Sequence, residues 1–246
     1  MMDLTDGFIY ERNITEGFTR DGIHTNEYDM WLTERHAPTP TEKVITESVP
    51  FMQGEYDFSN VLGFRVYENR PITYVFEIIG NKYHNRKSIQ TSLENWLMRS
   101  GFAPLYDTHD EGYRYMAKCE SVDVVDNEEY KTLEVTITFE AYPFKIGELL
   151  EGNDIWDTFN FEIDVAQVTE FNITGTEQVV LYNAGSNIIT PKIRTTSPMT
   201  IIKDGVTYSL QQGETTSDEF NLSIGENNLT IQGNGTIEFL FHKELI

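Results

Sequence analysis

Apolar and polar residues alternate with a period of two in many separate segments of this chain, and in one stretch the spacing lengthens to that of a helix. In Leu133–Lys145, Leu133, Val135, Ile137 and Phe139 recur every second residue, with Glu134, Thr136, Thr138 and Glu140 between them. A strand sends alternate side chains to opposite faces, so this segment has one apolar and one polar face. It stops at Pro143, which cannot donate to a sheet ladder. Tyr113–Val124 carries Tyr113, Tyr115, Ala117 and Cys119 on one face and predicts an antiparallel partner for Leu133–Phe139, the two joined by the acidic turn Asp126-Asn127-Glu128-Glu129. Ile72–Ile79, rich in aromatic and β-branched residues, predicts a strand with Tyr74, Phe76 and Ile78 on one face. Further strands are expected over Asn26–Thr33 and Val44–Val49, and Asp21-Gly22 reads as a turn. His36–Pro40 is expected as an extended loop. The helical spacing falls at Asn85–Arg99, where Ile89, Leu93, Trp96 and Leu97 form one stripe. Asn85 would cap it, and Gly101 stands where a left-handed residue would end it.

Beyond Pro143 no helical spacing recurs. Ile146–Asp154, acidic and Gly-containing, is expected as a linker. Short strands are then expected at Trp156–Val165, Phe171–Ile173, Val179–Tyr182, Lys192–Thr195, Met199–Lys203, Val206–Leu210, Phe220–Ile224, Asn228–Gln232 and Thr236–His242. Asp204-Gly205 is a two-residue hairpin signal, and Gly225 and Gly233-Asn234-Gly235 read as turns. The terminal strand Thr236–His242 is expected to pair with Trp156–Val165. Short strands at this spacing indicate a β-sandwich of jelly-roll type. The fold is therefore mainly β: an N-terminal α+β domain with one helix, residues 1–145, followed by a C-terminal β-sandwich, residues 146–246.

Charge narrows the partners. With 40 acidic and 18 basic residues the formal charge is −22, which argues against nucleic acid or an anionic membrane as a binding partner. The opening Met1-Met2-Asp3-Leu4 lacks the basic start and apolar core of an export signal, so folding in a cytoplasm is expected. The sequons at Asn13, Asn172, Asn221, Asn228 and Asn234 then read as ordinary turn sequence. The single cysteine, Cys119, has no internal disulfide partner and is expected as a buried thiol.

Signals for catalysis are absent: there is no phosphate-binding glycine loop, nucleophile elbow, zinc-helix motif or cysteine pair. No catalytic, cofactor-binding or metal residue is assigned. Asp107, His109, Asp110 and Glu111 form the best metal-like group, but without the spacing of a calcium loop; the reading adopted is a polar turn between two strands. His24, His36, His84 and His242 are scattered. Trp156 with Tyr182 or Tyr208 could stack on sugar rings, which keeps open the alternative of a carbohydrate-binding module or adhesin acting through the C-terminal sandwich.

The order of motifs carries a resemblance. Gly54-Glu55-Tyr56-Asp57-Phe58 precedes the strand Ile72–Ile79 and the helix Asn85–Arg99; a Tyr-rich strand with an acidic hairpin follows, closed by Phe139-Glu140-Ala141-Tyr142-Pro143-Phe144-Lys145. Later come Val180-Leu181-Tyr182-Asn183-Ala184-Gly185-Ser186 with Pro191, and Gly225-Glu226-Asn227-Asn228. In this order the chain resembles the distal tail proteins (Dit) of long-tailed phages of Gram-positive bacteria, with Tyr142 standing where that family often has Asp. The resemblance implies a structural virion protein at the tail tip, without enzymatic activity or cofactor. It implies a homo-hexameric hub ring built from the N-terminal domain, joining the tail tube protein to the tip or baseplate, including the tail-associated lysin. It also implies an outward galectin-like sandwich that in relatives docks receptor-binding or baseplate proteins or binds sugars.

Overall fold

Alternation at this density puts much of the chain into sheets. In the computed structural model, the described residues are 14–61, 63–79, 83–127, 129, 132–155, 160–162 and 164–246, with the side chains of 83–87 also outside the description. In chain order the elements are β1 (Phe18–Arg20), β2 (Ile23–His24), β3 (Trp31–His36), β4 (Thr46–Glu47), β5 (Tyr56–Asp57), β6 (Arg70–Ile79), α1 (Tyr83–Leu97), β7 (Ala103–Asp107), β8 (Tyr113–Asn127) and β9 (Thr132–Ala141). They continue with β10 (Lys145–Gly147), β11 (Glu170–Asn183), β12 (Lys192–Thr195), β13 (Met199–Lys203), β14 (Val206–Leu210), β15 (Gly213–Thr215), β16 (Gly225–Leu240) and β17 (Glu244–Leu245). The fold is mainly β with one α-helix among the described residues, an α+β unit followed by a β-sandwich. The first compact unit comprises Met1–Pro38, Arg70–Glu111 and Ala117–Ala141; the second comprises Thr39–Asn69, Gly112–Met116 and Tyr142–Ile246.

In the first unit the sheet order is β2-β1-β7-β8-β9-β6-β3. The expected antiparallel pair forms, Val122 opposite Ile137 and Asp126 opposite Leu133. β9 also pairs along its whole length with β6. Tyr74, Phe76 and Ile78 are fully buried on one face, as are Val135, Ile137 and Phe139. Phe18 sits at the centre of this core, 4.9 Å from the Tyr74 ring and 5.2 Å from Phe139, and Trp96 of α1 stacks on it at 5.9 Å. Leu93 and Leu97 complete the buried stripe of the helix. Each such side chain contributes about 1.5–3 kcal/mol of burial.

Several boundaries differ from expectation. The helix begins at Tyr83, two residues before Asn85, whose capping side chain lies outside the described residues. It ends at Leu97, and Gly101 does not adopt a positive φ; the Gly101 carbonyl instead accepts from the buried Arg20 guanidinium at 2.7 Å. Asn26–Thr33 is not one strand. Thr25–Tyr28 forms a 3-10 turn because the His24 ring accepts from the Asn26 N–H while Glu27 reaches back to the His24 N–H, and Asp29 closes it in the left-handed region. The strand therefore starts at Trp31 and takes in His36.

The second unit is a sandwich arranged around β16. Its front half, Thr230–Gln232, pairs with β13, which pairs with β14. Its back half, Ile237–Leu240, pairs with β12, which pairs with β15. β11 runs beside the whole of it, Glu170 opposite Glu238 and Asn183 opposite Gly225. Leu181, Ile193, Ile201, Leu229, Ile231, Ile237 and Phe239 point into one core. The Asp204-Gly205 hairpin forms with both residues at positive φ, 53° and 79°, as a type I′ turn demands.

Two expectations are corrected here. Gly233-Asn234-Gly235 is not a turn but the middle of β16. The glycines provide clearance: a Cβ on Gly233 would stand 2.9 Å from Met199 Cγ, and one on Gly235 2.5 Å from Thr196 Oγ1. The strand keeps its course while the Thr196–Met199 segment crosses against it. Thr236–His242 does not pair with the described residues of Trp156–Val165. Its partners are β11 and β12, and the described part of the latter segment contains a turn at Phe161-Glu162. There Asn160 and Asp164 side chains accept backbone N–H groups locally, an alternative that competes with a ladder. Trp156–Phe159 and Ile163 lie outside the described residues, as does Glu128 of the acidic hairpin. Lys145–Gly147, at the start of the expected linker, is a strand paired with Tyr113-Arg114 on one side and β17 on the other.

Candidate functional site

The acidic group is positioned by the end of β7 and the turn after it. Asp107 is buried at the last position of β7, and Asp110 and Glu111 follow in the turn. Asp107 Oδ2 accepts from the Tyr74 hydroxyl and from Arg35 Nε, each at 2.6 Å. Its Oδ1 accepts the His109 N–H at 2.9 Å. Arg35 also donates to Asp110 through Nη2. Burial works against the Arg35 charge, but the hydrogen bond and charge of Asp107, then Tyr74 and Asp110, outweigh it and hold the guanidinium above its ordinary value. A cation thus already sits among these carboxylates. Among the described residues no group of three or more His, Cys, Asp or Glu is arranged to hold a metal. The structure joins Asp107, His109 and Asp110 as the sequence placed them, but around a side chain 72 positions away. Arg35 carries no local signal of that role beyond being a charge on a strand.

Cys119 is buried, and its thiol donates to the Ser121 carbonyl. Burial pushes it up to about 11, against an opposing pull from Arg20, the state of an inert thiol. The neighbouring Lys118 is engaged with Glu140 at 2.5 Å. Of the scattered histidines, His24 caps a turn, His36 lies in β3, and His242 Nδ1 is 3.1 Å from the Leu149 carbonyl. Burial lowers His242. The His84 side chain lies outside the described residues.

The ring positions considered for sugar stacking do not converge. Tyr208 packs edge-on against Phe220 of the sandwich core at 5.1 Å. Tyr182 is exposed on β11, and its backbone N–H and C=O are both engaged by the Gln167 amide. Trp156 lies outside the described residues.

Residues of the quoted motifs meet in the second unit. The Tyr142 hydroxyl donates to Glu244 at 3.1 Å, and the Asn187 amide donates both to Glu244 at 2.6 Å and to the Tyr142 oxygen at 3.2 Å. Burial and the Glu244 charge raise the Tyr142 phenol well above its usual range. Asn183, almost fully buried, accepts the Gly185 N–H and donates to the Asn187 and Leu222 carbonyls. Gly185 has no room for a side chain, since a Cβ would lie 2.7 Å from the Glu244 carbonyl. Asn227 likewise ties its own loop, bonding Ser223 and Gly225. The Asn-x-Gly and Tyr-Pro segments are therefore fastenings around β17, not a reactive centre. Glu244 and Asn187, which complete the arrangement, have no sequence signal that singles them out.

No family model matches the sequence, and no curated protein matches it. Among solved structures, the chain is similar to the Dit protein (gp 19.1) of phage SPP1, presented as a paradigm of the hub adsorption apparatus in phages infecting Gram-positive bacteria. The two share 14% identity at a TM-score of 0.65, covering 94% of this chain and 100% of that one. The chain thus shares its overall fold with that protein. The baseplate of phage P2 in its activated conformation with Ca aligns at 12% identity over 87% of this chain and 90% of that chain, with a TM-score of 0.38.

Proposed function

We propose that this chain is a structural tail-hub protein of a long-tailed phage or prophage, a distal tail component that acts by assembly and not by catalysis. The observation that carries the reading is the fold shared with SPP1 Dit across the full length of that protein, in a chain whose motifs occur in the order the family resemblance requires. In this reading six copies form a ring at the tail end. The ring joins the tail tube protein to the tip or baseplate and its tail-associated lysin, and the second unit anchors receptor-binding or baseplate proteins. A charge of −22 per chain suits a ring through which DNA passes, because an acidic lumen does not retain a polyanion. The polar clusters support the same reading: the carboxylates of the first unit are tied up by Arg35, and the polar groups around Tyr142 fasten strands together. The test is an antibody to this chain applied to purified virions. Label at the distal tail end, over six-fold density in electron micrographs, is the expected result. Label elsewhere, or none, overturns the reading.

A further inference from the structure

Lys243, just ahead of β17, has its ammonium folded inside the second unit: its side chain is 6% exposed and donates to Oδ1 of Asp164. Asp164, 21% exposed, is fixed from its other oxygen, where Oδ2 accepts the Asn160 N–H at 2.8 Å. The Lys243 Nζ also lies 5.6 Å from the centre of the Tyr113 ring. A third carboxyl, Glu151, comes from a segment whose backbone N–H bonds the Phe241 carbonyl, two residues before Lys243. Glu151 accepts from the Gln167 amide at 3.1 Å, and the charges of Lys243 and Asp164 both act on it. Burial raises this carboxyl, against the pull of Gln167 and Lys243, which enlarges its protonated share.

The other lysine–carboxylate pairs among the described residues are open to water. Lys118–Glu140 and Lys192–Glu214 are wetted on both sides, and in Lys203–Asp204 the carboxylate is 79% exposed. Burial gives the Lys243–Asp164 contact a different chemistry. Two charges taken out of water are costly, and moving one proton from Nζ to the carboxylate removes both while the groups stay in contact. The neutral amine is then a nucleophile, and the neutral acid is its electrophile. Burial works against the Lys243 charge, but the hydrogen bonds to Asp164 and Tyr113 outweigh it and hold the ammonium above its ordinary value. The neutral pair is therefore a minority, and reaction through it follows folding instead of competing with it. A site that excludes water also withholds the reactant of the reverse hydrolysis.

We propose that Lys243 and Asp164 condense into an amide cross-link inside the folded second unit, with Glu151 as the proton carrier. Nζ, as the neutral amine, attacks Cγ of the protonated Asp164 side chain. The negative charge that gathers on Oδ2 meets the Asn160 N–H already bonded there. Glu151, protonated at the start, gives its proton to the Oδ1 hydroxyl, which leaves as water, and takes one back from the nitrogen. One N–C bond replaces one C–O bond, and nothing is oxidised or reduced. The bond joins positions 79 apart and closes β11 to β16 into one covalent loop. It is a property of the second unit and does not depend on the hub reading.

The test weighs the full chain by mass spectrometry, unfolded in urea at intervals after purification. The expected mass is one water below that of the sequence. Trypsin does not cut behind an acylated lysine, so the expected digest contains one branched peptide uniting residues 146–192 with 204–246. Asp164→Ala and Lys243→Met should keep the full mass. Glu151→Gln retains the pair and should lose water at least about a hundredfold more slowly, with circular dichroism confirming its fold. A wild-type chain that keeps its full mass at every time leaves a simple ion pair and overturns the proposal. So does a loss of water without the branched peptide, as a succinimide at Asp204-Gly205 would give. Closure of Glu151→Gln at the wild-type rate overturns the role given to Glu151.

Discussion

Replacing Asp107 by Ala tests the tie that holds β3, β6 and β7 of the first unit together. The carboxylate is fully buried in its side chain, whereas Arg35 is 21% exposed. Truncation removes an acceptor from the Tyr74 hydroxyl, from Arg35 Nε and from the His109 N–H. Hydrogen bonds to a charged group are worth about 1.5–3 kcal/mol each, but bonds converging on one atom are not additive. Breaking a buried pair by removing one partner costs about 3–5 kcal/mol. Arg35 retains Asp110 and some contact with water, which places the expected loss near the lower bound, about 3 kcal/mol. Amide hydrogen exchange in β6 to β9 reads the first unit by itself. The expected change is a fall in protection on the order of a hundredfold, since each 1.4 kcal/mol is a factor of ten. Asp107→Asn keeps the shape and one acceptor and should lose less. Pairing Asp107→Ala with Tyr74→Phe should give a coupling of about 0.5–3 kcal/mol. A fall in protection below about fivefold for Asp107→Ala, under 1 kcal/mol, would refute the tie as a structural element.

Gly235→Ala places a Cβ at φ 134°, 2.5 Å from a Thr196 hydroxyl that already accepts the Thr236 N–H. Thermal unfolding should show a loss of about 2–3 kcal/mol, whereas Gly175→Ala, with nothing near its Cβ, should cost about 1 kcal/mol. Glu244→Ala takes away the acceptor shared by Tyr142 and Asn187 and should cost about 2 kcal/mol, with Glu244→Gln falling between it and wild type in the same melt. Cys119 should resist alkylation in the folded chain and react once urea unfolds it. Because its folded value, about 11, exceeds the 9.0 of a free thiol, the unfolded chain gives up this proton first. Its contribution to stability is therefore constant below about pH 9 and declines by roughly 2–3 kcal/mol as pH rises to 11. A Cys119→Ala variant should lack that part of the decline.

Strands whose faces differ in polarity were legible in the sequence because burial alone writes their pattern. Leu133–Phe139, Tyr74–Ile78 and the α1 stripe fall where the alternation and the 3.6-residue spacing put them. Asp204-Gly205 was legible because only a few residue pairs tolerate two positive φ values. What stayed hidden depends on contacts far along the chain. Gly233 and Gly235 read as punctuation, yet they are there to let another segment pass. Asp107, His109 and Asp110 look like cation ligands until Arg35 is brought to them from β3. Trp156–Val165 alternates as a strand should, but Asn160 and Asp164 satisfy their own backbone. Val44–Val49 reads as a strand, yet only Thr46–Glu47 forms one and Val44, Ile45 and Val49 are exposed; alternation does not say whether an apolar side chain faces a core or solvent.

The interleaving of the two units has a consequence for synthesis. Every segment of the first unit lies at or before Ala141, so its sheet can close while the rest of the chain is still being made. The second unit cannot do this. β11 is completed only by β16, which begins more than forty positions later, and β10 waits for β17. Thr39–Asn69 and Gly112–Met116, made early, must remain without their companions until Tyr142–Ile246 emerges. During that interval the exposed apolar side chains of Thr39–Asn69 precede the completion of the sandwich to which the segment belongs.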